Sequence, residues 1–344
     1  MRMKVVSVTA ATIVATCAAG CLESPEAPHE VVVYSSVDEI FARPIAQQFK
    51  NETGIQVRLV PDTEETKSTG LLNRLMAEKA RPQADVFWSG DPVRAAILKS
   101  RDISEPYRSP QADGLPVRYS DPQGHWAGFS ARARVLIYNT SLVPETERPT
   151  SVMDLLDSRF RGSACLANPL FGTTSMHAAA LFQVLGEVNA REFFTRFIEN
   201  GGTIVSSNGE VRRRVAAGDF AIGITDTDDF NVALRERKPV GIVYPDHDGI
   251  GTLVIPNAAV LIAGAPNPEG GKRFIDFLLS PETEEALAHS AAAQMPVRSG
   301  IPIPAYVRSL TEITPMQVDY DKLADELERL SNGFLREWVT RHSR

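Results

Sequence analysis

Three times between Val31 and Leu98 a short apolar run gives way to an amphipathic stretch at helical spacing. The runs Val31–Tyr34, Ile55–Val60 and Ala84–Trp88 read as strands. After the first, Ile40, Phe41, Ile45 and Phe49 share a helical face, with Gly54 as the stop. Leu71, Leu72, Leu75 and Met76 form the second such face, and Asp91 opens a third helix through Leu98. Ser36 and Glu39, three residues apart, predict a capping box for the first helix, and Pro44 predicts a kink inside it. This β-α-β-α-β-α rhythm constrains the chain to an α/β fold, with helices on the faces of a sheet.

The rhythm returns beyond a strand-like run at Trp126–Asn139. A short helix is expected at Val152–Leu156, a strand at Gly162–Ala167, and helices from Gly172 through Leu185 and at Ala190–Asn200. A strand at Thr203–Ser206 and a helix at Val211–Ala217 lead to the apolar strand Phe220–Ile224. Strands at Gly241–Tyr244 and Leu253–Ile262 and helices at Gly270–Leu279 and Glu282–His289 follow. Leu323, Leu327, Leu330 and Phe334 mark one long terminal helix, Asp321–Thr340. Two α/β lobes with more than one crossing are the natural organisation. Lobe 1 is expected to hold residues 30–133 and 257–298, and lobe 2 residues 134–256 and 299–344.

The 344 residues are enough for two such lobes. A formal net charge of -7 argues against a nucleic-acid surface. Arg2 and Lys4 precede an apolar run, Val5–Ala19, that is short for a membrane span and ends in Ala18-Ala19-Gly20 before Cys21. This resembles a bacterial lipobox. Residues 1–20 are thus expected to be a leader and Cys21 to carry a lipid, which tethers the body to a membrane face without a spanning helix. Losing Arg2 and Lys4 takes the charge from -7 to -9. Residues 21–29, with Pro25 and Pro28, read as a linker. Cys165 then stands alone in an apolar run and is expected to be an inert core residue.

Asp226, Asp228 and Asp229 directly follow the apolar run that ends at Ile224–Thr225 and precede a helical pattern. Ligands of open α/β sheets sit where strands end and helices begin. One Asp there is simply a helix cap; three carboxylates within four residues point to a ligand. Thr173, Thr174 and Ser175 follow Gly172 at another helix start, where free N–H groups and hydroxyls suit an anion. Ser36, Asp38 and Asp91 follow the first and third strands and are expected to reach the same cleft. Trp88 reads as a cleft wall or, by default, a core residue. Arg132 and Arg134, two apart on a strand, share a face and either neutralise the carboxylates, hold an anion or meet solvent. His177, alone, is more often a packing residue than a ligand. The chain has no Gly-x-Ser-x-Gly, His-Glu-x-x-His, Gly-x-x-x-x-Gly-Lys or Gly-x-Gly-x-x-Gly motif, so no enzyme activity is expected.

Taken as a set, Val31–Ser36, Thr53-Gly54-Ile55, Ala84–Ser89, Arg132–Thr140, Gly218-Asp219, Asn257–Val260 and Lys272–Leu278 resemble the bacterial periplasmic ferric-ion-binding proteins over roughly residues 30–300. The resemblance implies a type 2 periplasmic binding fold, two lobes each with a mixed sheet, closing about a hinge. It also implies delivery of the solute to the permease and ATPase of an ABC importer. Such proteins hold ferric ion with two adjacent tyrosines, and this sequence has no such pair. Asp228 and Asp229 fall at that position, Asp38 at the family's histidine, and Gly90, beside Asp91, at its acidic ligand. The helix start at Thr173–Ser175 matches the family's seat for a companion anion.

The expected function is therefore an extracytoplasmic solute-binding lipoprotein, monomeric, in the periplasm or cell envelope. Asp226, Asp228 and Asp229 would bind a positive moiety and Thr173, Thr174 and Ser175 a negative one. Asp228 and Asp229 are the candidate metal ligands, for a bound iron or other ion with an oxyanion. The rival within the class is a binder of an aminophosphonate or other small organic ion; the rival outside it is an extracytoplasmic enzyme or sensor on the same fold.

Overall fold

The computed structural model describes residues 30–62 and 69–342. The leader, the linker and Cys21 lie outside the described residues. In chain order the elements begin with β1 (Glu30–Ser35), α1 (Glu39–Thr53), β2 (Gln56–Pro61), α2 (Thr69–Ala77), β3 (Val86–Ser89), α3 (Pro92–Ser100) and β4 (Ser104–Glu105). The middle holds β5 (Ala127–Asn139), β6 (Ala164–Ala167), α4 (Gly172–Glu199), β7 (Thr203–Val205), α5 (Asn208–Ala217), β8 (Ile222–Asp226), α6 (Thr227–Arg235) and β9 (Val240–Val243). The chain continues with β10 (Val254–Ile262), α7 (Pro268–Leu278), α8 (Pro281–His289), α9 (Tyr320–Asn332) and α10 (Phe334–His342).

The strands run in the order β2-β1-β3-β10-β5-β8-β6-β7, with β4 on β10 and β9 on β5. β1, β2 and β3 pair in parallel, as do β6, β7 and β8, while β5 and β10 run antiparallel to their neighbours. Each group is thus a mixed sheet. β5 joins them: Ala127–Ala133 pair with β10, and Arg134–Tyr138 pair with β8.

Apolar side chains alternate between the two sides of the first sheet, as a strand buried on both faces requires. Val31, Val33, Trp88 and Phe129 pack with α1 and α7 through Phe49 and Phe274, whose rings meet edge-on at 5.0 Å. Val32, Tyr34 and Phe87 face the opposite cluster with α3. Trp88 is therefore a core residue and not a cleft wall. Cys165 is buried and reduced, as expected.

Two local expectations need correction. The predicted capping box does not form: α1 starts at Glu39 with Asp38 as N-cap, and no side chain caps it. The single terminal helix is two, because Gly333 breaks it between α9 and α10. The two helices predicted on either side of residue 186 are present, as the two halves of α4 separated by Gly186, whose φ of 79° only glycine takes readily. α9 packs on both α3 and α4 and makes ion pairs to each, Lys99–Asp321 at 3.1 Å and Arg329–Glu187 at 2.6 Å.

Candidate functional site

Strands β1, β6, β7 and β8 end at one cleft, and residues just beyond their ends line a polar cavity of about 50 Å³. β5 crosses beneath it, presenting Arg132 to the cavity and Arg134 to Asp226 behind it.

Asp226 ends β8 and is the N-cap of α6. Its side chain does not cap the helix. Oδ1 accepts from Arg134 Nη1 at 2.7 Å, and Oδ2 accepts from the Thr173 hydroxyl at 2.6 Å. Arg134 also donates to Asn208 Oδ1 at 3.0 Å and to the hydroxyls of Thr173 and Thr174 at 3.2 and 3.3 Å. Burial alone would raise the Asp226 carboxyl, but Arg134 and Arg132 beside it hold it below the usual carboxylate range. Asp226 is thus a strut between β8, α4 and β5 rather than an open ligand.

Asp228 and Asp229 occupy the first turn of α6 and line the cavity. Arg132 Nη1 lies 3.5 Å from Asp228 Oδ2, and the Asp229 carboxylate accepts from Thr225 Oγ1 at 2.9 Å. Burial, with Asp228, Asp226 and Asp38 nearby, pushes the Asp229 carboxyl up to about 7. One oxygen from each of Asp226, Asp228 and Asp229 lies within 4.8 Å of the others, close enough to share an ion.

The facing charges come from helix ends. α1, α4 and α6 open on the cleft at Asp38, Phe171 and Asp226, and none has a side-chain cap. By contrast α3, α5, α7, α8 and α9 are capped by Asp91, Ser207, Asn267, Ser280 and Asp319. Uncapped N–H groups carry the positive end of the helix dipole into the cavity. Arg132 adds to it. Nη2 donates to Gly90 O at 2.7 Å, while its buried Nε has no hydrogen-bond partner among the described residues.

The other predicted site residues divide. Thr173 and Thr174 line the cavity and Asp38 reaches it from the first sheet. Ser36 is held back: its hydroxyl accepts from Gly90 N at 2.9 Å. Asp91 is turned inward. It caps α3 through Arg94 N at 3.0 Å and pairs with the buried Arg94 guanidinium at 3.3 Å. Ser175 is also removed from the cavity. Its hydroxyl donates to Gly172 O at 2.7 Å and accepts from Arg94 Nη2 at 2.7 Å. Arg94 thereby ties α3 to α4 across the cleft. His177 is buried among Leu155, Leu181 and Phe194, and burial depresses its imidazole to about 3, so it is a neutral packing residue.

Residues 81–323 match the family model described as bacterial extracellular solute-binding protein. The chain belongs to that family. Relatives of this solute-binding protein include iron uptake protein A1 of Synechocystis sp., 28% identical over 325 residues, covering 89% of each chain. A Salmonella typhimurium protein named for 2-aminoethylphosphonate binding is 29% identical over 262 residues, covering 74% of this chain and 73% of its own. Among solved structures, iron-bound HitA of Pseudomonas aeruginosa superposes with a TM-score of 0.79 at 24% identity, covering 89% of this chain and 99% of HitA. AfuA of Actinobacillus pleuropneumoniae, with fructose-6-phosphate, superposes at 0.80 and 23% identity, covering 91% and 98%. The fold is that of the two-lobed periplasmic binding proteins.

In this solute-binding protein no tyrosine lines the cavity among the described residues. Asp228 and Asp229 stand there instead. Sequence reasoning missed Asn168, Phe171 and the Ser206–Gly209 turn, all of which line it. The turn was detectable: Ser207 and Glu210 have the spacing of a helix start, and Ser207 Oγ accepts from Glu210 N at 3.2 Å.

Proposed function

We propose that this protein captures, between its lobes, a small solute presenting both a cationic group and an oxyanion, and passes it to the permease and ATPase of an ABC importer. The carrying observation is the charge balance of the cavity. Asp38, Asp226, Asp228 and Asp229 line it with one guanidinium, Arg132, while the buried Arg134 pairs with Asp226 from behind the lining. The lining thus carries more carboxylates than guanidiniums, which suits a positive group. The uncapped start of α4, with Thr173 and Thr174 and with Arg132 opposite, suits an oxyanion.

In the reading that the iron-uptake relatives support, the two charges are a hard metal ion, ferric iron, and a companion oxyanion, with Asp228 and Asp229 as metal ligands. In a second reading both charges belong to one small organic ion such as an aminophosphonate. Arg132, 3.5 Å from Asp228, favours the second, because a multivalent metal bound there meets a like charge.

The lobe boundaries at 133/134 and 256/257 belong to the same proposal. The change of pairing partner along β5 supports the first, and a register shift in β10 between Pro256 and Asn257 supports the second. Lipid attachment at Cys21 rests on the sequence alone; Cys21→Ser should release the protein from membranes, and unchanged fractionation would remove the anchor.

Native mass spectrometry with elemental analysis of protein purified without chelators tests the ligand reading. One solute per chain is expected, either iron with an oxyanion or an organic ion carrying both charges. Recovery of an apolar or purely anionic solute, or turnover of the solute, would overturn it.

A further inference from the structure

We infer that Glu284, a carboxylate buried on α8, is a positioning residue for the cleft: it holds the bulge at Ser130 that aims Arg132 at the solute. The last step of this inference, from aim to affinity, rests on the reading proposed above.

The bulge is visible in the register. Asn257 on β10 stands opposite Phe129, and the next residue, Pro256, stands opposite Ala131. Ser130 is the extra residue, and it is unpaired. Side chains of a strand alternate, so one inserted residue exchanges the faces of everything beyond it. Phe129 packs with Trp88 and Phe274 on one face, whereas Ala131 and Ala133 pack in the cluster on the other. Arg132 consequently returns to the face of Phe129, where it meets Gly90 O and the carboxylates. Without the bulge Ala131 and Ala133 would share the face of Phe129. Arg132 and Arg134 would then point into the opposite apolar cluster.

The bulge is not a conformation that Ser130 prefers. Its φ is +35°, a region L-residues rarely occupy, and its buried hydroxyl has no partner among the described residues. Such a backbone persists only where its surroundings fix it. Glu284 Oε1 accepts from Ser130 N at 2.8 Å and from Val297 N at 2.8 Å. Asn257 Nδ2 donates to Ser130 O and, at 2.7 Å, to Gln294 Oε1. Glu284 is fully buried, with Arg298 Nε 3.4 Å from its second oxygen. A buried carboxylate is costly to keep, and this one serves two backbone N–H groups at the crossing between sheets rather than its own helix.

The test is a double-mutant cycle with Glu284→Ala and Arg132→Ala. Binding is titrated with two probes, 2-aminoethylphosphonate and ferric ion with inorganic phosphate. Glu284→Ala is expected to weaken the bound probe about tenfold or more, and Glu284→Gln, which keeps the acceptor oxygen, by less than about threefold. In the Arg132→Ala background Glu284→Ala should cost nothing further. Wild-type affinity in Glu284→Ala, or a loss undiminished in the Arg132→Ala background, overturns the inference. Should Glu284→Ala not fold, Glu284→Asp keeps the charge but withdraws the oxygen, and the same loss is expected. Hydrogen exchange of residues 127–134 in ligand-free protein is the second readout. It should speed up in Glu284→Ala and match wild type in Glu284→Gln; equal exchange in all three overturns the pinning. If wild-type protein takes up neither probe, the solute reading fails, and exchange alone then decides whether Glu284 holds the bulge.

Discussion

Arg134 Nη1 donates to Asp226 Oδ1 at 2.7 Å with both side chains shielded from solvent. The pair sits at the register point where β5 meets β8, so it joins two strands as well as two charges. Removing one member of a buried pair leaves the other charge uncompensated, at a cost of about 3–5 kcal/mol. Asp226→Asn is therefore predicted to lower stability by that order. Asp228→Asn, whose nearest guanidinium contact is long, should cost far less. Urea unfolding of the two variants checks this, and equal stabilities would show that Asp226 is not a strut.

Asp229 gives the ligand-free protein a pH dependence of definite sign. Its carboxyl is pushed up to about 7, against an unfolded value of about 3.9. The native state holds that proton more tightly, so the contribution to stability is complete below about pH 4 and is lost as pH rises through about 7. Asp226 works the other way: its lowered carboxyl stabilises above the unfolded value and ceases to as pH falls. Asp229→Asn should flatten the slope between pH 5.5 and 8. Because Asp229 is only half-buried, the gain at pH 8 should be on the order of 1–2 kcal/mol. Unfolding curves at the two pH values measure it, and a slope as steep as in the wild type would contradict it.

Arg94, on α3, donates to Ser175 Oγ on α4 at 2.7 Å, and neither residue lines the cavity. Ser175→Ala is predicted to act on closure and not on solute contact. The expected loss of affinity is less than about tenfold, one hydrogen bond contributing on the order of 1 kcal/mol. Small-angle scattering should show a more open ligand-free population. A hundredfold loss would restore Ser175 to the site as a direct contact.

The α/β alternation was legible because β1, β3 and β10 carry apolar runs and α1, α2 and α7 apolar faces that the chain order alternates. Strand ends then located the cleft, which is how Asp228, Asp229, Thr173, Thr174 and Asp38 were found. What the sequence could not convey was competition among partners. Asp91 and Ser175 are both claimed by Arg94, and Asp226 by Arg134, through contacts that join residues 3, 81 and 92 positions apart. The extra residue at Ser130 is invisible in a strand pattern, since only pairing with β10 reveals it. Gly333 was readable as a helix break, but the apolar spacing of Leu323, Leu327, Leu330 and Phe334 across it outweighed it.

The first turn of α6 carries the central claim. Asn caps a helix about as well as Asp, so if Asp228 and Asp229 only favour the helix end, Asp228→Asn/Asp229→Asn should lose about 0.3–1 kcal/mol of stability per charge and leave affinity alone. If they hold the cationic group of the solute, the double variant should bind a hundredfold or more weakly, through loss of charge-assisted bonds. With the mutual repulsion at Asp229 relieved, it should also melt no lower than the wild type when ligand-free. The measurement is calorimetric affinity for the solute recovered from wild-type protein, with a melting curve of each ligand-free form. A hundredfold loss of affinity at undiminished stability is the predicted result; retained affinity with lowered stability would contradict it.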